Sequence, residues 1–188
     1  AGAAAAGPVY DANDLFRAVI GGRSDIIENI LHSNPGLVNA LDDNGNTPLI
    51  IASELGQDYI VEQLIHAGAD VNTTNRFGKN ALMAAAQNGH AAVVKKLIGA
   101  HANVNTAHKG SGATALMWAT RGGHTEVVRQ LLEAGADINA KNREYNTALN
   151  IVRGRNGHPN VAELIQNHID RYGAGAAAAA GASHRSHP

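Results

Sequence analysis

A few residue groups in this sequence have types and spacings that could do chemistry. Gly110-Ser111-Gly112-Ala113-Thr114-Ala115 fits G-x-G-x-x-A, the pattern in which a glycine turn brings backbone amides to a dinucleotide pyrophosphate at a helix N-terminus. Ten histidines offer imidazoles for proton transfer or metal ligation near neutral pH. His184 and His187 lie three apart and could hold a metal weakly. Ser24, Ser33, Ser53 and Ser111 are the hydroxyls to consider as nucleophiles. Cysteine is absent, which excludes disulfides, thiolate zinc sites, iron–sulfur ligation and cysteine catalysis together.

Most of these groups lack the context their chemistry needs. The dinucleotide fingerprint requires a strand before it and an acidic residue about 20 positions later in a βαβ unit; here Asn103-Val104-Asn105 and Thr106-Ala107-His108-Lys109 precede it. A turn with one inserted residue and a nucleotide or small-molecule site at the Gly110–Gly112 turn remain as the two readings. His90, His124 and His158 each follow a glycine, a recurrence that points to a structural slot, and no H-E-x-x-H or G-x-S-x-G occurs. The expectation is therefore no catalytic, cofactor-binding or metal-binding residues, no cofactor and no enzymatic activity.

The elements that would position such residues come from a repeat. Gly45-Asn46-Thr47-Pro48-Leu49, Gly78-Lys79-Asn80-Ala81-Leu82, Gly112-Ala113-Thr114-Ala115-Leu116 and Tyr145-Asn146-Thr147-Ala148-Leu149 begin 33, 34 and 33 residues apart. Stretches VEQLIHAGADVN (61–72), VKKLIGAHANVN (94–105) and VRQLLEAGADIN (128–139) repeat at matching offsets, and residues 15–40 carry the same skeleton without an opening turn. A period of 20 to 50 residues marks a stacked array whose units contact only their neighbours. Each unit reads as two short helices and a turn. Thr47-Pro48 puts a hydroxyl at the N-cap and Pro at the first helical position. Ile60, Val61, Leu64 and Ile65 form an amphipathic stripe on the second helix, and Gly68 supplies a C-cap. Ala52, Ala85 and Ala119 recur at one first-helix position and allow close stacking. Only seven aromatic residues occur, so the core must be Leu, Ile, Val and Ala. Trp118 occupies a first-helix slot and is expected in it.

D-x-x-G-x-T-P-L, a central Ala, G-H before the second helix and L-L-x-x-G-A-D-V-N resemble the ankyrin repeat over about residues 12–169. The resemblance implies an all-α ankyrin-repeat solenoid of helix-turn-helix units with β-hairpin-like turns, in units 10–41, 42–74, 75–108, 109–141 and 142–172. Residues 1–9 and 173–188, holding Ala/Gly tracts, are expected to be flexible. The family's TPLH is Thr47-Pro48-Leu49-Ile50, Asn80-Ala81-Leu82-Met83, Thr114-Ala115-Leu116-Met117 and Thr147-Ala148-Leu149-Asn150 here, so apolar packing by Ile50, Met83 and Met117 is expected in place of the histidine. Family asparagines at the slots of Asn39, Asn72, Asn105 and Asn139 can be hydroxylated; an Asn side chain closing the inter-repeat loop explains the same recurrence.

The resemblance further implies that turn tips and the exposed side of the first helices form a concave, protein-binding face. Those slots hold Asp43, Asn44, Asn46, Glu54 and Leu55; then Arg76, Phe77, Lys79, Gln87 and Asn88; then Ser111, Ala113, Arg121 and Gly122; then Arg143, Glu144, Tyr145, Asn146 and Arg155. Aromatic and Arg residues on an exposed face are the usual anchors of an interface, which singles out Phe77, Tyr145, Arg76, Arg121, Arg143 and Arg155. Charge is graded, acidic at the first tip and basic at later ones, so a partner of opposite gradient would be steered into one register. A net charge of −1 lacks the cationic excess of a nucleic-acid binder, and no run of about 18 apolar residues exists to span a membrane. The expected partner is another protein, bound by a chain monomeric on its own. Inhibition or sequestration of that partner is the simplest role, with adaptor, scaffold or host-directed bacterial effector as alternatives. A small-residue start without Met and the lack of Cys suit an exported, periplasmic chain; a cytoplasmic one is the alternative.

Overall fold

The computed structural model describes residues 7–173; His184, His187 and most of both Ala/Gly tracts lie outside the described residues. Within them the chain forms α1 (Ala12–Ile20), α2 (Ser24–Ser33), a 3-10 turn (Pro35–Asn39), α3 (Pro48–Glu54), α4 (Asp58–His66), α5 (Ala81–Gln87), α6 (Ala91–Gly99), α7 (Ala115–Gly122), α8 (Thr125–Glu133), α9 (Ala148–Val152) and α10 (Pro159–Tyr172), with no strand among the described residues. The odd-numbered first helices stack in one layer and the even-numbered second helices in another, each pair closing on itself and on its neighbours. This is the all-α solenoid the repeat requires. No described helix is long and apolar enough to cross a membrane.

Each first helix starts where a side-chain oxygen takes a free amide of the first turn. Thr47 Oγ1 accepts from Ile50 N at 3.1 Å, Asn80 Oδ1 from Met83 N at 2.9 Å, Thr114 Oγ1 from Met117 N at 3.4 Å and Thr147 Oγ1 from Asn150 N at 3.2 Å. The helices are five to nine residues long, apart from the ten of α2 and the fourteen of α10, too short to persist alone in water. Packing holds them. Leu64, Leu97, Leu131 and Ile165 are fully buried at one second-helix slot, and Ala52, Ala85 and Ala119 are fully buried between first helices. Ile50, Met83 and Met117 are buried as expected. Asn150, in the same slot of the last unit, instead turns back to accept from Thr147 N at 3.0 Å.

Successive units are fastened by the histidines that recur before the second helix. His90 Nε2 donates to the carbonyl of Glu54 at 3.0 Å, His124 Nε2 to that of Gln87 at 3.0 Å and His158 Nε2 to that of Arg121 at 3.1 Å. These carbonyls end α3, α5 and α7, where no intrahelical donor remains. Each ring rests on a glycine of the preceding unit, Gly56, Gly89 or Gly123, with φ near +72°. At the first junction Gln57 Nε2 does the same work for the Val19 carbonyl at 2.8 Å. Because an amide serves there, His90→Gln is expected to change stability by less than about 0.5 kcal/mol, whereas His90→Ala costs about 1–2 kcal/mol by orphaning the carbonyl; urea unfolding of the two variants separates these outcomes.

The recurring asparagines close the loops between units. Asn39 Oδ1 accepts from Asp70 N at 2.8 Å, Asn72 Oδ1 from Asn103 N at 2.8 Å and Asn105 Oδ1 from Asp137 N at 2.7 Å.

Candidate functional site

The turn tips are built on a side-chain acceptor that folds each loop around itself. Asp42 Oδ1 accepts from Asn44 N (2.9 Å) and Asn46 N (2.8 Å), Asn75 Oδ1 from Phe77 N (2.9 Å) and Lys79 N (3.0 Å), and Asn142 Oδ1 from Glu144 N (2.9 Å) and Asn146 N (3.0 Å). The third tip has one residue more, and His108 takes the role: its Nδ1 accepts from Gly110 N at 3.2 Å and Ser111 N at 3.1 Å. His108 Nδ1 stands at the same remove from the backbone as an Asn or Asp Oδ1 and accepts from residues two and three further on, where Asp42, Asn75 and Asn142 accept from residues two and four further on. The remaining amides of this turn are also engaged, Gly112 N by the His108 carbonyl (2.8 Å) and Ala113 N by Ser111 Oγ (3.2 Å). A pyrophosphate would need these donors, and no strand leads into the turn. The Gly110–Gly112 segment is an enlarged repeat turn, and its geometry gives a nucleotide no cradle.

Tips stack on one another as the helices do. Arg76 N donates to the Asn44 carbonyl at 3.0 Å and Arg143 N to the Ser111 carbonyl at 2.9 Å. Arg76, Lys109 and Arg143 each lie over the left-handed glycine of the preceding tip, Gly45, Gly78 and Gly112. Arg143 Nη2 also donates to the Lys109 carbonyl at 2.7 Å. The three cations thus form one column along the tips, which Asp43 heads at the first tip.

Of the sequence-predicted residues, Asp43, Asn44, Arg76, Phe77, Arg143 and Tyr145 share this row of tips and are exposed. Glu54, Leu55, Gln87, Arg121 and Arg155 lie at the opposite, C-terminal ends of the first helices, all exposed. Lys79 spans the two groups: its Nζ donates to Gln87 Oε1 at 2.7 Å and stands 5.9 Å from the centre of the Trp118 ring. Arg121 borders a groove of about 590 Å³ between α7 and α9, with Asn146, Asn150 and His158 among its walls.

Trp118 corrects the expectation drawn from the sequence. It is only partly buried, on the side of α7 facing the tips, where its ring meets His108 edge-on at 5.1 Å and 72°. Ile51, Ala84 and Ile151 occupy its slot in other units; the small Ala84 is fully buried there, whereas the larger Ile51 and Ile151 are, like Trp118, only partly covered. Sequence reasoning also missed Lys109 and His108. The signal for both was the register of Arg76 and Arg143, and of Asn75 and Asn142, once the inserted residue is allowed for.

Burial first, then the charges of Lys79 and Arg143, lowers the pKa of His108; burial, then Arg171, does the same for His168. Unfolded, both titrate near about 6.5. As pH falls through that value the unfolded chain binds protons that the folded chain resists, so stability is full above about 6.5 and declines below it. The thermal midpoint is expected to drop on acidification from about pH 7.5 to 5.5; in His108→Gln/His168→Gln the drop is shallower, and an unchanged slope would remove these two residues as its cause. Among the described residues no three His, Asp or Glu side chains group to hold a metal ion.

Tyr145 is the conformational exception of the face. It takes the place of the tip glycine at φ +63° and is 81% exposed. A left-handed backbone costs an L-residue about 1–2 kcal/mol, and here no buried packing of the ring offsets it. Phe77, 59% exposed, projects from the second full tip.

A family model described as ankyrin repeats matches the chain in three overlapping copies, over residues 10–75, 56–142 and 82–175.

Proposed function

Since the chain belongs to the ankyrin-repeat family, we propose that it binds a folded partner protein on the concave face made by the tips and first helices, and that it inhibits or sequesters that partner by covering its surface. Arrays of this family are in general non-catalytic protein-interaction modules. The observation that carries the reading is Tyr145: an exposed aromatic ring held at a positive φ where glycine would be unstrained. Strain of this kind persists where a side chain serves something other than the fold. Phe77, Trp118, Arg121 and Arg143 supply further aromatic and guanidinium groups on the same face, the residue types that dominate interface energetics. The groove beside Arg121 gives a partner side chain a place to enter. A rigid stack of buried alanines and leucines presents these groups without loop ordering, which lowers the entropic cost of association.

An adaptor role is the second reading. It is favoured by a separate groove of about 570 Å³ between α2 and α4, on the second-helix layer, where Leu31, His32 and exposed Tyr59 meet.

Partner capture from native lysate with identification by mass spectrometry tests the proposal. Tyr145→Gly relieves the backbone strain and is expected to stabilise the chain by about 0.5–1 kcal/mol while weakening capture. Capture undiminished by Phe77→Ala/Arg121→Ala/Tyr145→Gly together would refute this face as the binding surface.

A further inference from the structure

The net charge of −1 conceals a one-sided distribution. Between Leu55 and Arg143 the tips and first helices carry Arg76, Lys79, Lys109 and Arg121, with Arg143 closing the row, and not one Asp or Glu; exposed Glu144, next to Arg143 in the fourth tip, is the first carboxylate after it. Every acidic residue of that stretch, Asp58, Glu62, Asp70, Glu126, Glu133 and Asp137, sits on a second helix or in the loop after it. The cations of the two layers are also used differently. On the second-helix layer Lys96 pairs with Glu62 at 2.7 Å and Arg129 with Glu126 at 2.8 Å. The salt bridges seen among the described residues include none of Arg76, Lys79, Lys109, Arg121 and Arg143. The bonds seen from Lys79 and Arg143 go to neutral acceptors, Gln87 Oε1 and the Lys109 carbonyl. At the centre of the row, the proton affinity of His108 is reduced first by burial and then by the charges of Lys79 and Arg143.

We propose that the tips of the second to fourth full units seat an extended acidic segment of the partner protein, its carboxylates facing Arg76, Lys109 and Arg143. This inference rests on the concave face being the protein-binding surface and adds the chemistry of what binds there. The geometry favours a regular ligand. Stacked helices lie about 8–10 Å apart, so cations seated one per unit recur at about that interval. An extended polyproline-type segment rises about 3.1 Å per residue with three residues per turn, which returns a side chain to the same side every 9–10 Å or so. An acidic residue at every third position of such a segment therefore meets one cation per unit. Asp43 at the head of the column sets the register, since it repels the carboxylate that a one-unit slip would bring against it.

The test uses the purified chain and a fluorescein-labelled peptide of four Glu-Pro-Pro triplets, followed by anisotropy at low and physiological salt. The peptide is expected to bind, to weaken as salt rises because exposed charges are screened, and to lose about tenfold in affinity when Arg76, Lys109 and Arg143 are all alanine. The reversed variant Arg76→Glu/Lys109→Glu/Arg143→Glu, with an unchanged circular dichroism spectrum and thermal midpoint, is expected to bind a Lys-Pro-Pro peptide instead. Equal binding of a Gln-Pro-Pro peptide, tighter binding of an oligothymidylate, or no binding of the acidic peptide would each overturn the inference. A captured partner that is lost with Trp118→Ala/Tyr145→Gly yet indifferent to the triple alanine variant would overturn it too, while leaving the protein-binding face itself standing.

Discussion

Gly89→Ala is expected to destabilise the array by about 2–3 kcal/mol and to split its unfolding into two steps. Two effects combine. Gly89 has φ +72°, where an alanine costs about 1–2 kcal/mol. The new Cβ would also stand 2.5 Å from His124 Nδ1, so the imidazole must leave its seat and give up its bond to the Gln87 carbonyl, about 1 kcal/mol more. This site is a junction near the middle of the stack, and a solenoid's cooperativity is carried by nearest-neighbour interfaces. Loss of this one leaves the units before and after it free to unfold separately. Urea titration monitored by circular dichroism would show a lower midpoint together with a reduced m-value. A lower midpoint with an unchanged slope would mean that the junction weakens without uncoupling.

Trp118→Ala is expected to weaken partner binding by about 2 kcal/mol or more, roughly 30-fold, with a smaller effect on folding. The indole is partly exposed beside the tips, with Lys79 over its ring and His108 against its edge, so a partner covering the proposed face would complete its burial. Interface hot spots are central, aromatic and incompletely covered until binding. Trp118 is the single tryptophan of the chain, which makes its fluorescence a direct probe: binding is expected to shift the emission to shorter wavelength, and titration calorimetry on the alanine variant supplies the energy. A variant that binds as well as the wild type would move the centre of the interface elsewhere.

The parts of this structure that repeat were readable from sequence because stacking imposes the same demand on every unit. Leu64, Leu97 and Leu131 had to be buried, Thr47, Asn80 and Thr114 had to cap, and His90, His124 and His158 had to be structural, since each slot meets an equivalent slot next door. The tip residues Arg76, Phe77, Arg143 and Tyr145 were found for the opposite reason: they differ where the frame allows difference. Trp118 escaped because the boundary between buried and open sides of a first helix depends on how closely two helices stack, which small Ala85 and Ala119 set and composition alone does not. Lys109 escaped because the insertion at Gly110 sets it three residues before the tip glycine, where Arg76 stands two before its own, and His108 standing in for an Asx residue hides the turn's first position. The column of cations became visible only when the tips were placed over one another.

At three kinds of junction contact the earlier unit supplies an acceptor to a donor of the later unit, while the longer bonds from Asn39 Nδ2 to the Gly68 carbonyl (3.4 Å) and from Asn105 Nδ2 to the Gly135 carbonyl (3.3 Å) run the other way. The carbonyls of Glu54, Gln87 and Arg121 await His90, His124 and His158; the side-chain oxygens of Asn39, Asn72 and Asn105 await the amides of Asp70, Asn103 and Asp137; and the tip carbonyls of Asn44 and Ser111 await Arg76 and Arg143. A ribosome makes the acceptor first. Each unit's bonding edge is therefore completed only when the next 33 or 34 residues have been made, so on the ribosome a junction can close no sooner than one repeat behind the growing chain.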